Sequence, residues 1–201
     1  MSFAIIGAGR IGQALAKAFA RKDIAVSLAS RTSPAQLAEL TRSLGTQVTP
    51  VSLSDAVAAD TILLAIPFWA HREVAQILTD WTGKTLIDVS NAHGVDPSEL
   101  GGLPSSAVVA NAFAGAKLVK GFNHLVASVL AQDPAVPGGR RVVFLSSDHP
   151  PASERVRHLA ERLGFAPVEL GGLAEGGLLV QARGTNWGPL IFQDLAKAEQ
   201  R

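Results

Sequence analysis

Gly7, Gly9 and Gly12 stand in the spacing Gly-x-Gly-x-x-Gly, within Gly7-Ala8-Gly9-Arg10-Ile11-Gly12, directly after the apolar run Phe3-Ala4-Ile5-Ile6. A strand that ends in such a loop and continues as a helix presents backbone N–H groups and the positive end of a helix dipole, the means by which a pyrophosphate is held. Glycine serves the tight turn, the close approach of backbone to phosphate, and the packing of helix on strand. The end of the next strand reads Leu28-Ala29-Ser30-Arg31-Thr32-Ser33. A site selective for an unphosphorylated ribose places Asp or Glu here, to accept from the 2′-hydroxyl, and this stretch has neither. Arg31 can pair a 2′-phosphate bidentately and lay its guanidinium on adenine, while the hydroxyls of Ser30, Thr32 and Ser33 can donate to phosphate oxygens. The expected cofactor is NADP(H) in preference to NAD(H).

Those loops need a sheet edge to carry them, and the hydrophobic pattern supplies one. Strands are expected at Phe3–Ile6, Ala25–Ala29, Thr61–Ile66, Thr85–Val89, Lys117–Phe122, Arg141–Ser146 and Pro167–Leu170. Helical periodicity falls between them, over Ile11–Lys22, Pro34–Leu44, Trp69–Trp81, Ser105–Ala114, Leu125–Gln132, Ala152–Leu163, Leu173–Arg183 and Pro189–Glu199. The alternation predicts an α/β fold of the Rossmann type: a doubly wound, mainly parallel sheet with helices on both faces. Residues 1–170 form the nucleotide-binding domain, and residues 171–201 a C-terminal helical segment that completes the substrate site or a dimer interface. Pro134-Ala135-Val136-Pro137-Gly138-Gly139 reads as a surface loop within the domain.

In an open sheet of this kind, ligands lie beyond the carboxyl ends of the strands, which picks out further positions. Ile66 and Pro67 follow one strand and can wall the cofactor. Asn91, in Ser90-Asn91, follows the next, within reach of the nicotinamide ribose, as ligand or as loop cap. Phe122 ends the strand expected at Lys117–Phe122, Asn123 and His124 follow it, and all three are candidates for the substrate side. His124 can give a proton to a carbonyl near neutral pH, or can serve as a cap or packing residue. Trp187, between Gly184 and Gly188, can offer a flat face to a ring or anchor its segment. The chain has no tyrosine, and no Ser-x-x-x-Lys or Tyr-x-x-x-Lys pair announces a short-chain dehydrogenase. Hydride transfer without a dedicated protein acid is therefore open.

The chain has 201 residues, of which 47% are hydrophobic, enough for one large domain with a true core. Its 18 basic and 17 acidic residues leave a net charge of +1, which offers no field to gather nucleic acid or an anionic membrane. The absence of cysteine removes disulfides, thiolate metal sites and thiol catalysis together. The five histidines lack the three- or four-residue spacing of helix-borne ligands, so no metal is expected. The N-terminal apolar run is too short for a signal peptide or a membrane span, so a cytoplasmic location is expected.

Gly7-x-Gly9-x-x-Gly12, Ser30-Arg31, Ala65-Ile66-Pro67, Val119-Lys120-Gly121-Phe122-Asn123, Leu163-Gly164-Phe165 with Pro167-Val168, and Gly171-Gly172-Leu173 before Pro189-Leu190 resemble the NADPH-dependent coenzyme F420 reductases. The resemblance spans nearly the whole chain. It implies NADP at the glycine loop, Ser30 and Arg31 on the 2′-phosphate, Ile66 and Pro67 along the cofactor, and hydride transfer to a deazaflavin stacked on the nicotinamide. His124 departs from the family's small hydroxylated residue, and Pro34-Ala35-Gln36 replaces a basic residue often found there. The nucleotide unit is also similar to that of the STEAP-type metalloreductases, which pass electrons to flavin. The expected function is thus an NADPH-dependent oxidoreductase, dimeric, acting on coenzyme F420 or a flavin. The alternatives are reduction of a small carbonyl or imine with His124 as acid, and a non-catalytic NADPH sensor.

Overall fold

Alternate residues of the central strands serve two separate cores, which is what a sheet covered on both faces requires. Ile5, Leu63, Ile87 and Val119 belong to one cluster; Ile6, Ile62, Leu64, Leu86 and Leu118 belong to the other. A computed structural model describes residues 1–181. Trp187 and the helix expected over Pro189–Glu199 lie outside the described residues.

The strands are β1 (Phe3–Ile6), β2 (Val26–Ala29), β3 (Val48–Pro50), β4 (Thr61–Leu64), β5 (Thr85–Asp88), β6 (Lys117–Gly121), β7 (Ala135–Val136), β8 (Gly139–Arg140), β9 (Val142–Ser146) and β10 (Ala166–Glu169). Eight of them form one sheet in the order β10-β9-β6-β5-β4-β1-β2-β3. β1 to β6 run parallel, β9 lies antiparallel to β6, and β10 is parallel to β9. The expected α/β fold with a mainly parallel sheet is the one observed. β1 lies between β2 and β4, so the chain reverses its winding there, and the crevice beyond the carboxyl end of β1 is the topological switch point.

The helices are α1 (Arg10–Arg21), α2 (Pro34–Leu44), α3 (Leu53–Ala56), α4 (His71–Ala75), α5 (Ser105–Ala112), α6 (Ala127–Leu130), α7 (Pro150–Arg162) and α8 (Gly176–Leu179). Leu15 and Phe19 of α1 and Val156 and Leu159 of α7 fill one core, while Ala56, Val74 and Val109 of α3, α4 and α5 fill the other. No helix of the described residues is long and apolar enough to cross a membrane.

Several elements differ from expectation for local reasons. The helix expected over Trp69–Trp81 is a 3-10 turn at Phe68–Ala70 followed by five α-helical residues. It stops because the Trp81 indole donates to the Ala75 carbonyl (3.1 Å), satisfying an acceptor that a further turn would have used. α8 covers four residues of the expected Leu173–Arg183, and two of the four are Gly176 and Gly177. The loop expected at residues 134–139 contains a two-stranded hairpin, with Ala135 opposite Arg140 and Val136 opposite Gly139. Pro137 and Gly138 make its turn, and Gly138 supplies the positive φ of 81°. β3, three residues ending in Pro50, was not delimited from the sequence because it is too short for a period.

One feature of the sheet interior is polar. Lys120 and Asp88 are opposite in the β5–β6 register, each is 1% exposed, and Nζ lies 2.9 Å from Oδ2. The other carboxylate oxygen, Oδ1, accepts from the Ser90 N–H (2.9 Å) and Oγ (2.6 Å), and Nζ also donates to the Ser90 carbonyl. Removing one buried charge leaves the other uncompensated, at about 3–5 kcal/mol. Lys120→Met should lower the urea unfolding free energy by that amount, and adding Asp88→Asn should recover a substantial part. Equal losses in the single and double variants would mean the pair is not energetically coupled.

Candidate functional site

Two hollows, of about 670 and 350 Å³, open along the carboxyl edge of the sheet and share Gly9, Ala65, Ile66 and Pro67. Together they make one groove across the switch point. Its narrower half runs from Gly7 to Ser30 and Arg31; its wider half is walled by Ser90, Asn91, Asn123 and His124.

The glycine loop divides its labour. Gly7 (φ 115°) leaves β1 with its N–H on the Ala29 carbonyl (2.8 Å), and a Cβ there would stand 2.1 Å from the Ala65 carbonyl oxygen. Gly12 is buried on α1, where a Cβ would stand 1.8 Å from the Gly7 carbonyl oxygen. These two glycines therefore bring loop, helix and β4 together. Gly9 differs, since nothing lies within 4 Å of the place a Cβ would take. It is the N-cap of α1, provides no side-chain cap, and opens the helix N-terminus to the groove. An anion such as a pyrophosphate fits that opening. Gln13 braces the loop through Nε2 to the Ala8 carbonyl (2.8 Å). Arg10 and Ile11 line the wider half and Ala8 the narrower.

At the end of β2, Ser30 and Arg31 line the narrower half, and Arg31 is exposed and in no ion pair among the described residues. Ser33 is committed elsewhere: it caps α2, accepting from the Gln36 N–H and donating to Gln36 Oε1 (2.9 Å). Thr32 does not line the groove; its N–H donates to Ser30 Oγ (3.0 Å), tightening the turn that presents Arg31. Of the four residues expected around the phosphate, two face the groove and two shape the loop.

On the wider side, Asn91 and Asn123 face each other. Asn91 Nδ2 donates to the Asn123 carbonyl (2.8 Å), and Asn123 Nδ2 donates to Asn91 Oδ1 (3.0 Å) and to the Val180 carbonyl (2.8 Å). Asn91 thus lines the groove while also tying two loops. Gln181 adds a second tie, accepting from the Ser105 N–H (2.7 Å), so the C-terminal segment is held at the wall of the wider half. Phe122 requires correction: it does not reach the groove. Its ring is fully buried, edge-on to Phe165 at 5.7 Å, because its left-handed φ of 60° turns the chain so that Asn123 faces the groove instead.

His124 is 6% exposed and lies against Phe144, with ring centroids 4.9 Å apart. Nε2 donates to the Val142 carbonyl at 3.3 Å. Burial pushes its pKa down to about 4, against the weaker upward pull of that hydrogen bond. The ring is neutral at pH 7, and the imidazolium that an acid role requires is not the resting form. Asp88, Lys120, His93, Trp69 and Glu73 also position or line the groove and were not singled out as site residues. For the first two the signal was present, as a charge within each of the otherwise apolar runs Leu86–Val89 and Leu118–Phe122.

The description NADP oxidoreductase, coenzyme F420-dependent, belongs to the family model that matches residues 2–92, the span that carries the glycine loop, Arg31 and Pro67. That match covers the N-terminal 91 of the 201 residues. A hypothetical protein, SMa0349, from Sinorhizobium meliloti is 41% identical, with a TM-score of 0.87 over 92% of both chains. A protein from Arthrobacter sp. FB24 described as an F420-dependent NADP reductase is 24% identical, with a TM-score of 0.71 over 90% of each chain, a likeness of fold. Metalloreductase STEAP3 of Rattus norvegicus is 31% identical over 172 residues, 85% of this chain and 34% of the rat protein. The chain thus spans about a third of the length of that curated relative.

The depressed pKa of His124 has a consequence for stability. The folded ring refuses a proton that the unfolded ring takes, so the contribution is complete above about pH 6.5 and is lost as the pH falls toward 4. The loss is on the order of 3 kcal/mol. His124→Gln keeps a donor for Val142 without the titration. Urea midpoints at pH 7.0 and 4.5 should therefore fall by less in the variant than in the wild type; parallel falls would refute a depressed pKa.

Proposed function

We propose that this chain transfers hydride between NADP(H) and a flat ring acceptor, a deazaflavin such as coenzyme F420 or a flavin. The observation that carries the reading is the single groove across the switch point, with a cationic phosphate end at Arg31 and a roomy end where the His124 imidazole is held neutral. When bound, NADP(H) supplies or receives the hydride. Backbone N–H groups at the start of α1, beside the open Gly9, take the pyrophosphate, and Ala8, Arg10 and Ile11 line its path. Arg31 pairs the 2′-phosphate, with Ser30 beside it. Ile66 and Pro67 form the wall between the two halves, and Ser90 and Asn91 reach the nicotinamide ribose.

The acceptor takes the wider half, against Asn123 and His124. Residues 171–181, tied to Asn123 through Val180, close that half, and a second copy of the chain in a homodimer completes it. Catalysis in this arrangement would come from positioning the two bound rings, worth about 7–11 kcal/mol at best. Reduction of a small carbonyl or imine needs a proton donor, and the neutral, internally bonded His124 argues against that role.

Anaerobic mixing of the protein with NADPH and coenzyme F420 should bleach the oxidised deazaflavin, and faster than FMN is consumed in a parallel reaction. Tight NADPH binding with no turnover of either acceptor would overturn the acceptor and favour a sensor. Arg31→Ala should raise the Kd for NADPH by about 10- to 100-fold, the worth of charge-assisted bonds to one phosphate. The Kd for NADH should stay within about twofold. Equal weakening of both would remove Arg31 from the 2′-phosphate.

A further inference from the structure

Trp69 is 67% exposed, while its neighbour Phe68 is 6% exposed and packs on His71 with ring centroids 5.0 Å apart. The turn that carries them is rigid. The Ala70 N–H bonds the Pro67 carbonyl (2.9 Å), and His71 Nδ1 bonds the Phe68 carbonyl. The indole is therefore held out from the core on a braced support. Solvent is an unfavourable place for so large an apolar surface, and tryptophan commonly serves binding when it stands there.

Its position identifies what it would bind. Trp69 lines the narrower half of the groove together with Ser30, Arg31, Leu53, Glu73 and Ile77. That half continues from the glycine loop, so a dinucleotide whose pyrophosphate lies at Gly9 places its second nucleoside there. Glu73 stands one helical turn beyond Trp69, is exposed, and is in no ion pair with Arg31. A carboxylate there would repel a ribose phosphate, but it is a suitable acceptor for an exocyclic amine.

We propose that Trp69 and Glu73 are the adenine-reading side of the cofactor site. The indole is the stacking platform for the purine, and the Glu73 carboxylate accepts from its 6-amino group. Arg31, across the same hollow, holds the 2′-phosphate, so that base and phosphate are read by different residues. This assignment rests on the NADP(H) reading given above and extends it to the base.

Adenosine 2′,5′-bisphosphate and inosine 2′,5′-bisphosphate, titrated into the full chain by calorimetry, test it without any turnover. The wild type should bind the adenine compound more tightly than the inosine compound. Trp69→Ala should weaken both about tenfold and Trp69→Phe by much less, because an aromatic face remains. Glu73→Gln should reduce the preference for adenine over hypoxanthine, since an amide can donate to the 6-oxo group as well as accept. Thermal midpoints without ligand report that the variants fold, which the exposure of both side chains favours. Wild-type affinity in Trp69→Ala, with the adenine compound still bound, would overturn the platform alone. An unchanged preference in Glu73→Gln would overturn the base reading. A shift of Trp69→Ala from dimer to monomer with unaltered binding would place the indole in a subunit interface instead. Failure of the wild type to bind the adenine compound would overturn both this proposal and the NADP(H) site.

Discussion

The Lys120–Asp88 pair sets the geometry of the wider half of the groove. Both charges stand near the carboxyl ends of neighbouring strands, one to three residues before the chain enters the loops that wall the groove. A pair of apolar side chains in those places would cost less desolvation and would often be as stable or more so. It would not hold Ser90. Asp88 and Lys120 together engage the N–H, Oγ and carbonyl of that residue, so the path of the chain out of β5 follows directional, charge-assisted bonds. Asn91 comes next, and its meeting with Asn123 depends on that path.

A second constraint acts on the neighbouring loop. Phe122 has a left-handed backbone, costly for a bulky residue, and its ring is buried against Phe165 in compensation. At Gly121 a Cβ would stand 2.7 Å from Leu145, so the preceding position admits no side chain without a shift. Between them these residues bend the chain sharply enough for Asn123 to reach Asn91 on one side and Val180 on the other. Both hydrogens of the Asn123 amide are used in those two bonds, which fixes its orientation. The loops after β5 and β6 and the start of the C-terminal segment are thus coupled through one side chain at the groove wall.

The fold was legible because its signals are periodic or local. The alternating strands, the glycine spacing and the missing carboxylate after β2 each follow from residue type and order, and the observed sheet carries them at one edge. Element lengths were less legible. Nothing in Trp69–Trp81 announces that the Trp81 indole will take the Ala75 carbonyl and end the helix, because that bond belongs to the folded chain. Side-chain direction was the least legible. Phe122 and Asn123 are adjacent in sequence, yet one faces the core and the other the groove, and only the backbone twist at Phe122 separates them. Ser33 resembles a phosphate ligand by type and place, and the capping box with Gln36 takes it instead. The buried ion pair could have been suspected from a charge set against apolar neighbours in each of two strands, but its register is a property of the sheet.

The distribution of charge along the groove bears on how such a site works. Its narrower half holds Arg31 and the open N-terminus of α1, where anionic groups need a counter-charge to leave water. In the wider half Asn91 and Asn123 are bonded to one another, His124 is neutral and tied to Val142, Asp88 and Lys120 neutralise each other in the sheet beneath, and Arg10 stands at the rim beside the start of α1. A reaction that creates a localised negative charge on an oxygen would need a donor aimed at it. Transfer of hydride between two delocalised rings makes a smaller demand: the charge is spread over each ring system, and what must be controlled is the distance and angle between two faces. Rigid loop ends, secured by a buried ion pair and a doubly bonded asparagine, suit the transfer proposed above in that respect.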